Sequence, residues 1–271
     1  MSIDQIRSYF GFTKMPFKKD LSPSELFSYS SHLEAKARIS FLIEESSIGV
    51  ITGEVGSGKT VALRSEINSL DLSRYNIIYI PDPLGGSRRI YSHIVTSLGE
   101  KPLMYNSSLI NQTNSLLEKE VVEKGKKTVV IQDEAHLLNR LQLEDLRLLT
   151  NSNMDSSSMF SLILVGQLPL KSMLRLGINS ALEQRITLKY SLAPMTLDET
   201  TKYISHHIKL SGRSDTIFSD DAIKLIHQYS RGLPRAVNNI SRHSLIAAFG
   251  DKSSIIDEHS TRSAIGESDK E

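Results

Sequence analysis

The sequence predicts an α/β fold, with a parallel five-stranded sheet that is flanked by helices and followed by a small all-helical lid. Short apolar runs rich in β-branched residues alternate with longer stretches in which leucines recur every three or four residues. This alternation is typical of a parallel sheet, because each strand must return through a crossover before the next one begins. After Pro194 only the helical spacing remains, which indicates a separate helical unit.

Each element follows from this pattern in chain order. The predicted strands cover residues 48–52, 77–80, 128–131, 161–165 and 186–191. The predicted helices cover 61–70, 88–98, 109–122 and 141–150, and then 197–210, 220–229 and 233–249 in the lid. The predicted parts are an N-terminal segment with a helix at 1–47, the α/β core at 48–192, the helical lid at 193–252 and a polar tail at 253–271. In the tail we expect at most one short helix, with disorder at its end.

Composition excludes several classes of protein. Hydrophobic residues make up 39% of the 271 residues, and no apolar run is long enough to cross a membrane or to form a secretory signal, so we expect a cytoplasmic protein. The absence of cysteine excludes disulfides, thiolate nucleophiles and cysteine-ligated zinc. A formal net charge of +1 gives no electrostatic argument for nucleic acid, so function must be inferred from local motifs.

The first predicted strand leads into a phosphate-binding loop. Gly53-Glu-Val-Gly-Ser-Gly58-Lys59-Thr60 matches G-x-x-x-x-G-K-[ST] between a strand and a helix. Its glycines let successive backbone N–H groups point at phosphates, to which the following helix offers its positive end. Lys59 is expected to reach the β- and γ-phosphates of ATP, and the Thr60 hydroxyl is expected to bind Mg²⁺. The predicted nucleotide-binding residues here are Gly53, Glu54, Val55, Gly56, Ser57, Gly58, Lys59, Thr60 and Val61.

The second half of the motif follows the third predicted strand. Asp133 stands at the carboxyl end of this strand, where open α/β sheets bind ligands, and it is expected to hold Mg²⁺ through water. Glu134 is then expected to orient and deprotonate the attacking water. The alternative is that both carboxylates merely cap the next helix. No metal other than Mg²⁺ is expected.

Asp133-Glu134-Ala135-His136 also spells the box of one helicase superfamily. Such helicases need a second α/β domain that supplies arginines, whereas the residues after Ser191 have only helical patterns. We therefore disfavour a helicase, and we interpret His136 as a polar residue at the start of the loop after the strand.

Nearly the whole chain resembles an AAA+ ATPase, a P-loop NTPase, of the ExeA/GspA-type branch, which is itself similar to transposition ATPases of the TniB, MuB and IstB kind. The resemblance runs from Tyr9-Phe-Gly-Phe-Thr-Lys-Met-Pro-Phe17 to Gly232-Leu-Pro-Arg235. In such ATPases the segment before the first strand covers the adenine. The resemblance therefore implies adenine contacts for Phe17 and Tyr29, and simple core packing of these aromatic rings is the alternative.

The resemblance also implies three catalytic positions. Gln167 follows the fourth strand, where the residue that senses the γ-phosphate stands. Arg185 precedes the last strand, where the arginine finger that reaches a neighbouring subunit is found, and Arg175 is the competing candidate. Arg235 corresponds to the sensor 2 arginine. Gly232 and Pro234 also predict a tight corner that places Arg235 on the first turn of a helix, where a cation is unfavourable unless an anion offsets it.

An arginine finger acting between subunits implies an ATP-dependent homo-oligomer that works as a switch. Secretion proteins that resemble ExeA usually continue into a membrane span and an envelope-binding domain, and the pattern of this sequence leads us to expect neither. We therefore expect a transposition helper that binds duplex DNA and directs a transposase. Arg88 and Arg89, placed in a loop region after the second strand, are the possible DNA contacts, and Lys124, Lys126 and Lys127 form a second basic cluster. For both groups the alternative is an ordinary solvated turn. The alternative is a secretion or regulatory ATPase that acts on a protein partner without DNA.

Overall fold

The computed structural model describes residues 2–18, 20–151 and 158–268, which form two compact units. The α/β unit comprises His32–Val55 and Lys59–Leu192. The helical unit comprises the described residues of Met1–Ser31, Gly56–Gly58 and Ala193–Glu271. None of the described helices is both long and apolar enough to cross a membrane.

The α/β unit is built on a five-stranded sheet in which every neighbouring pair is parallel, in the order β2-β3-β4-β1-β5. This arrangement confirms the predicted fold class. The strands are β1 (Ile48–Thr52), β2 (Tyr75–Ile80), β3 (Lys127–Gln132), β4 (Phe160–Gly166) and β5 (Ile186–Ser191). Their carboxyl ends meet at one edge of the sheet, and β1, β4 and β3 are neighbours there.

Helices cover both faces of the sheet. Val50 and Val130 belong to the core that packs against α4 to α8, whereas Ile51 and Ile131 belong to the core that packs against α2 and α3. Because both faces are buried, the strands have continuous apolar runs rather than alternating ones. The helices are α2 (Ser30–Glu44), α3 (Lys59–Ile67), α4 (Gly86–Ser97), α5 (Asn106–Val122), α6 (Arg140–Leu149), α7 (Pro169–Leu174) and α8 (Ser180–Arg185), with 3-10 turns at Ala135–Leu137 and Gly177–Asn179.

The helical unit packs an aromatic N-terminal segment against a group of helices. Phe10, Phe12 and Phe17 share one apolar core with residues of the four C-terminal helices or of the segments between them. The helices are α1 (Ile3–Tyr9), α9 (Leu197–Leu210), α10 (Asp220–Ser230), α11 (Pro234–Gly250) and α12 (Glu258–Ser268), with a 3-10 turn at Pro23–Glu25. The disorder predicted for the end of the tail concerns residues 269–271, which lie outside the described residues.

The corner between α10 and α11 needs its glycine. Arg231 and Gly232 both have positive φ, of 52° and 72°. A Cβ on Gly232 would lie 2.1 Å from the carbonyl oxygen of Met195, and the Met195 N–H donates to the Gly232 carbonyl at 3.0 Å. No side chain fits at Gly232, so the tight corner depends on this glycine. Helix α11 begins just after the corner, at Pro234, and Arg235 therefore falls in its first turn.

Candidate functional site

The phosphate loop, residues 53–60, curls through two glycines in the left-handed region, Gly56 at φ 81° and Gly58 at φ 87°. Helix α3 begins immediately afterwards, so Lys59 and Thr60 occupy its first turn. The Lys59 ammonium donates to the carbonyl of Gly53 at 3.0 Å and to that of Glu54 at 2.8 Å. The lysine side chain therefore folds back over its own loop, as expected of a residue that binds phosphates held by this loop.

Two hydroxyl groups are buried where the helical unit includes part of this loop: one belongs to Tyr29 and the other to Ser57 of the loop itself. The Tyr29 hydroxyl donates to the Ser57 carbonyl at 2.8 Å, and the Tyr29 side chain is buried. The Ser57 hydroxyl is also buried, and it has no hydrogen-bond partner among the described residues. A buried hydroxyl with an unused donor is costly by itself and fits a loop whose function is to receive an oxygen-rich ligand.

The two halves of the motif meet at Thr60 and Asp133. The Thr60 hydroxyl donates to Asp133 Oδ2 at 3.3 Å, across the carboxyl ends of β1 and β3. Hydroxyl and carboxylate oxygens are hard ligands, and Mg²⁺ is commonly held by one or two of them together with the phosphates of a nucleotide. In the part of the chain that the structure describes, no three His, Asp or Glu side chains cluster into a separate metal site. The donor set therefore fits Mg²⁺ bound together with a nucleotide.

Tyr79 also contacts Asp133, and sequence reasoning missed it. Its hydroxyl donates to Asp133 Oδ2 at 2.7 Å, while the Glu134 backbone N–H donates to Oδ1 at 2.8 Å. Partial burial and the neighbouring carboxylate raise the pKa of Tyr79 well above its ordinary value, so the phenol stays protonated and remains a donor. The sequence signal is weak, since β2 had to be placed beside β3 before Tyr79 could be paired with this carboxylate.

Glu134 extends from the turn after β3 with its side chain 48% exposed. Its backbone is in the left-handed region, at φ 48°, and it precedes the 3-10 turn Ala135–Leu137 without a side-chain capping bond. Its carboxylate is therefore not used for helix capping, which was the alternative role. A carboxylate that is not used in this way and follows a strand end suits a general base.

Gln167 is the first residue after β4, the strand between β1 and β3. It therefore lies at the same sheet edge as the start of the phosphate loop and Asp133. Its backbone N–H donates to His136 Nδ1 at 3.4 Å. His136 lies in the 3-10 turn after β3 rather than in an open loop, and Nδ1 is also 3.4 Å from Glu134 Oε2.

The two candidate arginine fingers differ in their surroundings. Arg185 ends α8, and its guanidinium lies 3.5 Å from the Arg147 carbonyl and from the Thr150 hydroxyl, at the outer limit of hydrogen bonding. Arg175 is exposed and is the C-cap residue of α7, where the helix dipole stabilises a cation. The assignment to Arg185 stays a prediction.

Arg235 lies against the phosphate loop within the helical unit. Its backbone N–H donates to the Gly56 carbonyl at 3.3 Å, and a Cβ on Gly56 would meet Arg235 Cβ at 2.8 Å. Its exposed side chain makes no hydrogen bond or ion pair within the described ranges. The first turn of α11 thus places an uncompensated cation beside a residue of this loop.

Phe17 lies in the core of the helical unit. It is only 1% exposed, stacks on His207 with ring centroids 5.1 Å apart, and meets Phe218 edge-on. These contacts match the core-packing alternative, and adenine contacts for Phe17 and Tyr29 stay predictions.

The helix predicted at 88–98 is confirmed as α4, and Arg88 and Arg89 lie in its first turns, so placing these two arginines in a loop region is wrong. Arg88 donates to the Leu103 carbonyl at 3.0 Å and to Asn106 Oδ1 at 3.1 Å, and Arg89 donates to the Leu84 carbonyl at 2.9 Å. The helix begins at Gly86 because Gly85 supplies a left-handed N-cap. The Arg88 guanidinium therefore bonds to the residues around the start of α5, and the Arg89 guanidinium bonds to the turn before α4. A DNA contact stays a prediction.

The second basic cluster is also engaged locally. Lys124 pairs with Glu120, whereas Lys126 and Lys127 donate to the carbonyls of Leu72 and Glu44. These contacts match solvated turns that are tied to the sheet.

Comparison with known proteins agrees with this geometry. The family model described as AAA domain matches residues 43–174. General secretion pathway protein A of Aeromonas hydrophila is 32% identical over 246 residues, which are 89% of this chain and 44% of that protein. The chain therefore spans less than half the length of this curated relative.

Two solved structures share the fold. Cdc6p of Pyrobaculum aerophilum has a TM-score of 0.67 at 18% identity, and the match covers 96% of this chain and 70% of that one. The Aeropyrum pernix ORC1 protein in complex with DNA has a TM-score of 0.63 at 15% identity, and the match covers 90% of this chain and 66% of that one. The chain is similar to General secretion pathway protein A, and it has the fold of the P-loop AAA+ ATPases.

Proposed function

We propose that this chain is a Mg²⁺-dependent ATPase that works as a molecular switch. The observation that carries the proposal is the hydrogen bond from Thr60 to Asp133 at 3.3 Å, since it joins the phosphate loop to the carboxylate after β3. Mg²⁺ held there with ATP would neutralise phosphate charge during hydrolysis.

The residues around this pair divide the chemistry among them. Lys59 and the backbone of the phosphate loop hold phosphate oxygens, and Thr60 and Asp133 supply the oxygens for Mg²⁺. Glu134 takes the proton of the attacking water, a role typically worth about 10²- to 10⁴-fold in rate. Gln167 lies at the neighbouring strand end, where its side chain can monitor the terminal phosphate.

Phosphate release tests this function. We expect hydrolysis of ATP that needs Mg²⁺ and that is lost, together with nucleotide binding, in Lys59→Ala. Lys171→Ala, which removes a lysine from α7, is the matched control and should behave like the unaltered protein. Absence of Mg²⁺-dependent hydrolysis in the folded protein, with and without candidate partners, would contradict the proposal.

For the task of the switch, we favour action on a protein partner in a secretion or regulatory system. The similarity to General secretion pathway protein A supports this alternative over the transposition helper that we expected from the sequence. The match covers 89% of this chain and 44% of that protein.

A DNA-directed switch, such as a transposition helper that recruits a transposase, is the second candidate. It is supported by the fold shared with an ORC1 protein whose structure contains DNA. ATPase rate and sedimentation, each measured with and without duplex DNA, separate the two candidates. If duplex DNA changes neither the ATPase rate nor the sedimentation profile, the protein-directed switch is favoured. If DNA stimulates the ATPase and the protein sediments with DNA, the DNA-directed switch is favoured.

A further inference from the structure

His136 lies between two residues of the proposed catalytic site. A single ring atom, Nδ1, is 3.4 Å from the Gln167 backbone nitrogen and 3.4 Å from Glu134 Oε2. The imidazole is held in place, since only 13% of its side chain is exposed. One nitrogen thus faces both the end of β4 and the carboxylate that follows β3.

These two contacts cannot both be hydrogen bonds. Gln167 offers an N–H, so Nδ1 accepts with its lone pair and the ring proton is on Nε2. In that tautomer Nδ1 has no hydrogen for Glu134, and its lone pair faces an anionic oxygen. The carboxylate can be held by Nδ1 only after the Gln167 N–H has released that atom. The imidazole therefore has two mutually exclusive partners.

The end of β4 packs closely against the 3-10 turn Ala135–Leu137, so a shift of the β4 backbone can move this turn. A Cβ on Gly166 would lie 3.0 Å from the His136 backbone nitrogen and 3.5 Å from that of Ala135. The two backbones therefore approach closely, and close-packed elements shift together rather than compress. A movement of the peptide between Gly166 and Gln167 must therefore reach His136 through both the backbone and the ring.

We propose that His136 is a positioning residue that couples the main chain of Gln167 to the orientation of the Glu134 carboxylate. The inference rests on the proposed ATPase function, in which Glu134 is the general base. His136 acts through Glu134 and takes no part in binding the nucleotide. When the Gln167 N–H occupies Nδ1, the Glu134 carboxylate is free to turn. When the Gln167 N–H leaves Nδ1, the imidazole can hold the carboxylate.

Two substitutions separate the role of Nδ1 from simple packing. In His136→Asn a polar acceptor remains at the δ position, whereas in His136→Gln the polar atoms move to the ε position. We expect His136→Asn to keep kcat within about threefold of the unaltered protein. His136→Gln should lower kcat at least about tenfold, as is common for residues that orient a catalytic group, with KM and nucleotide affinity changed less than about twofold.

A spectroscopic readout is independent of turnover. In a histidine ¹H–¹⁵N correlation spectrum, the His136 signal, identified by its loss in His136→Asn, should show an unprotonated Nδ1. Glu134→Gln should shift this nitrogen resonance, because the group facing it loses its charge.

The outcomes are distinct. Equal kcat in His136→Gln and the unaltered protein would overturn the inference, and so would equal losses in both substitutions, which would indicate packing. A protonated Nδ1 would also overturn it. If the unaltered protein hydrolyses no ATP, the proposed function fails, while the spectrum still decides whether the three residues are coupled.

Discussion

The Tyr79 hydroxyl donates a hydrogen bond to Asp133 Oδ2 at 2.7 Å, so the carboxylate after β3 is anchored from the neighbouring strand β2. The same oxygen accepts from Thr60 at 3.3 Å. Removing a group that orients a metal ligand typically costs about 10- to 100-fold in metal affinity or activity. If Asp133 holds Mg²⁺ as proposed, Tyr79 orients this ligand without touching the metal.

Replacing Tyr79 by phenylalanine should weaken the response to Mg²⁺. The variant keeps the ring and loses only the hydroxyl, so Asp133 loses an orienting donor while the fold is retained. We expect the Mg²⁺ concentration for half-maximal ATPase activity to rise about tenfold. Tyr91→Phe, which removes a hydroxyl bonded to the Asp145 carbonyl at 3.4 Å, is the control. An unchanged Mg²⁺ titration in Tyr79→Phe would show that the hydroxyl does not orient Asp133.

Removal of the Arg235 side chain should lower the preference for ATP over ADP without lowering the stability of the fold. The cation stands in the first turn of α11, so Arg235→Ala should leave the free energy of unfolding unchanged or raise it by up to about 1 kcal/mol. Loss of one charge-assisted hydrogen bond to a terminal phosphate should lower the preference for ATP over ADP about tenfold. Competition binding and thermal melts measure both effects.

Arg242→Ala, on the same helix, is the matched control for Arg235 and should keep the preference for ATP. If Arg235→Ala also discriminates between ATP and ADP as the unaltered protein does, the sensor role assigned to Arg235 is wrong.

A mixing experiment identifies the arginine finger. Arg185→Ala subunits keep Glu134 but lack the guanidinium that we expect to act on the neighbouring site, and Glu134→Gln subunits have the opposite defect. Each variant alone should be at least about 100-fold slower than the unaltered protein, and an equimolar mixture should recover activity. If Arg175→Ala alone is inactive and recovers with Glu134→Gln, while Arg185→Ala alone is active, the role belongs to Arg175. No recovery with either arginine variant would argue against a site shared between subunits.

Stability should fall in mild acid because His207 is buried without a charge. Burial, with a smaller contribution from the neighbouring His206, lowers the pKa of His207 to about 4, against about 6.5 in the unfolded chain. The unfolded chain therefore binds a proton before the folded one does. The stabilising contribution is complete above about pH 6.5 and is lost as the pH falls toward 4.

The expected loss is about 2 kcal/mol in the free energy of unfolding between pH 7 and pH 5. Urea unfolding at the two values measures it, and His207→Gln should remove most of the difference between them. A variant that keeps the full difference would assign the acid sensitivity to other groups.

Sequence patterns were sufficient for the sheet but not for the contacts of individual side chains. The strand at Ile186–Ser191 and the helix at Leu197–Leu210 have the predicted bounds, because strong apolar periodicity and a Thr196 cap define them locally. The roles of Tyr79 and His136 could not be predicted, since each depends on which strands are neighbours in the sheet. The helix predicted at 88–98 is observed, but Gly85 and Gly86 also favoured a loop region around Arg88 and Arg89, whereas these glycines start the helix.

Glu134→Gln tests the central claim most directly. The substitution keeps the size of the side chain and removes its charge and its ability to accept a proton. Nucleotide binding and phosphate release should therefore be measured on the same preparation, with Glu144→Gln, an exposed position on α6, as the control. If Glu134 is the general base, ATP affinity should stay within about twofold of that of the unaltered protein, and turnover should fall at least about 100-fold. Normal turnover in Glu134→Gln would contradict this role.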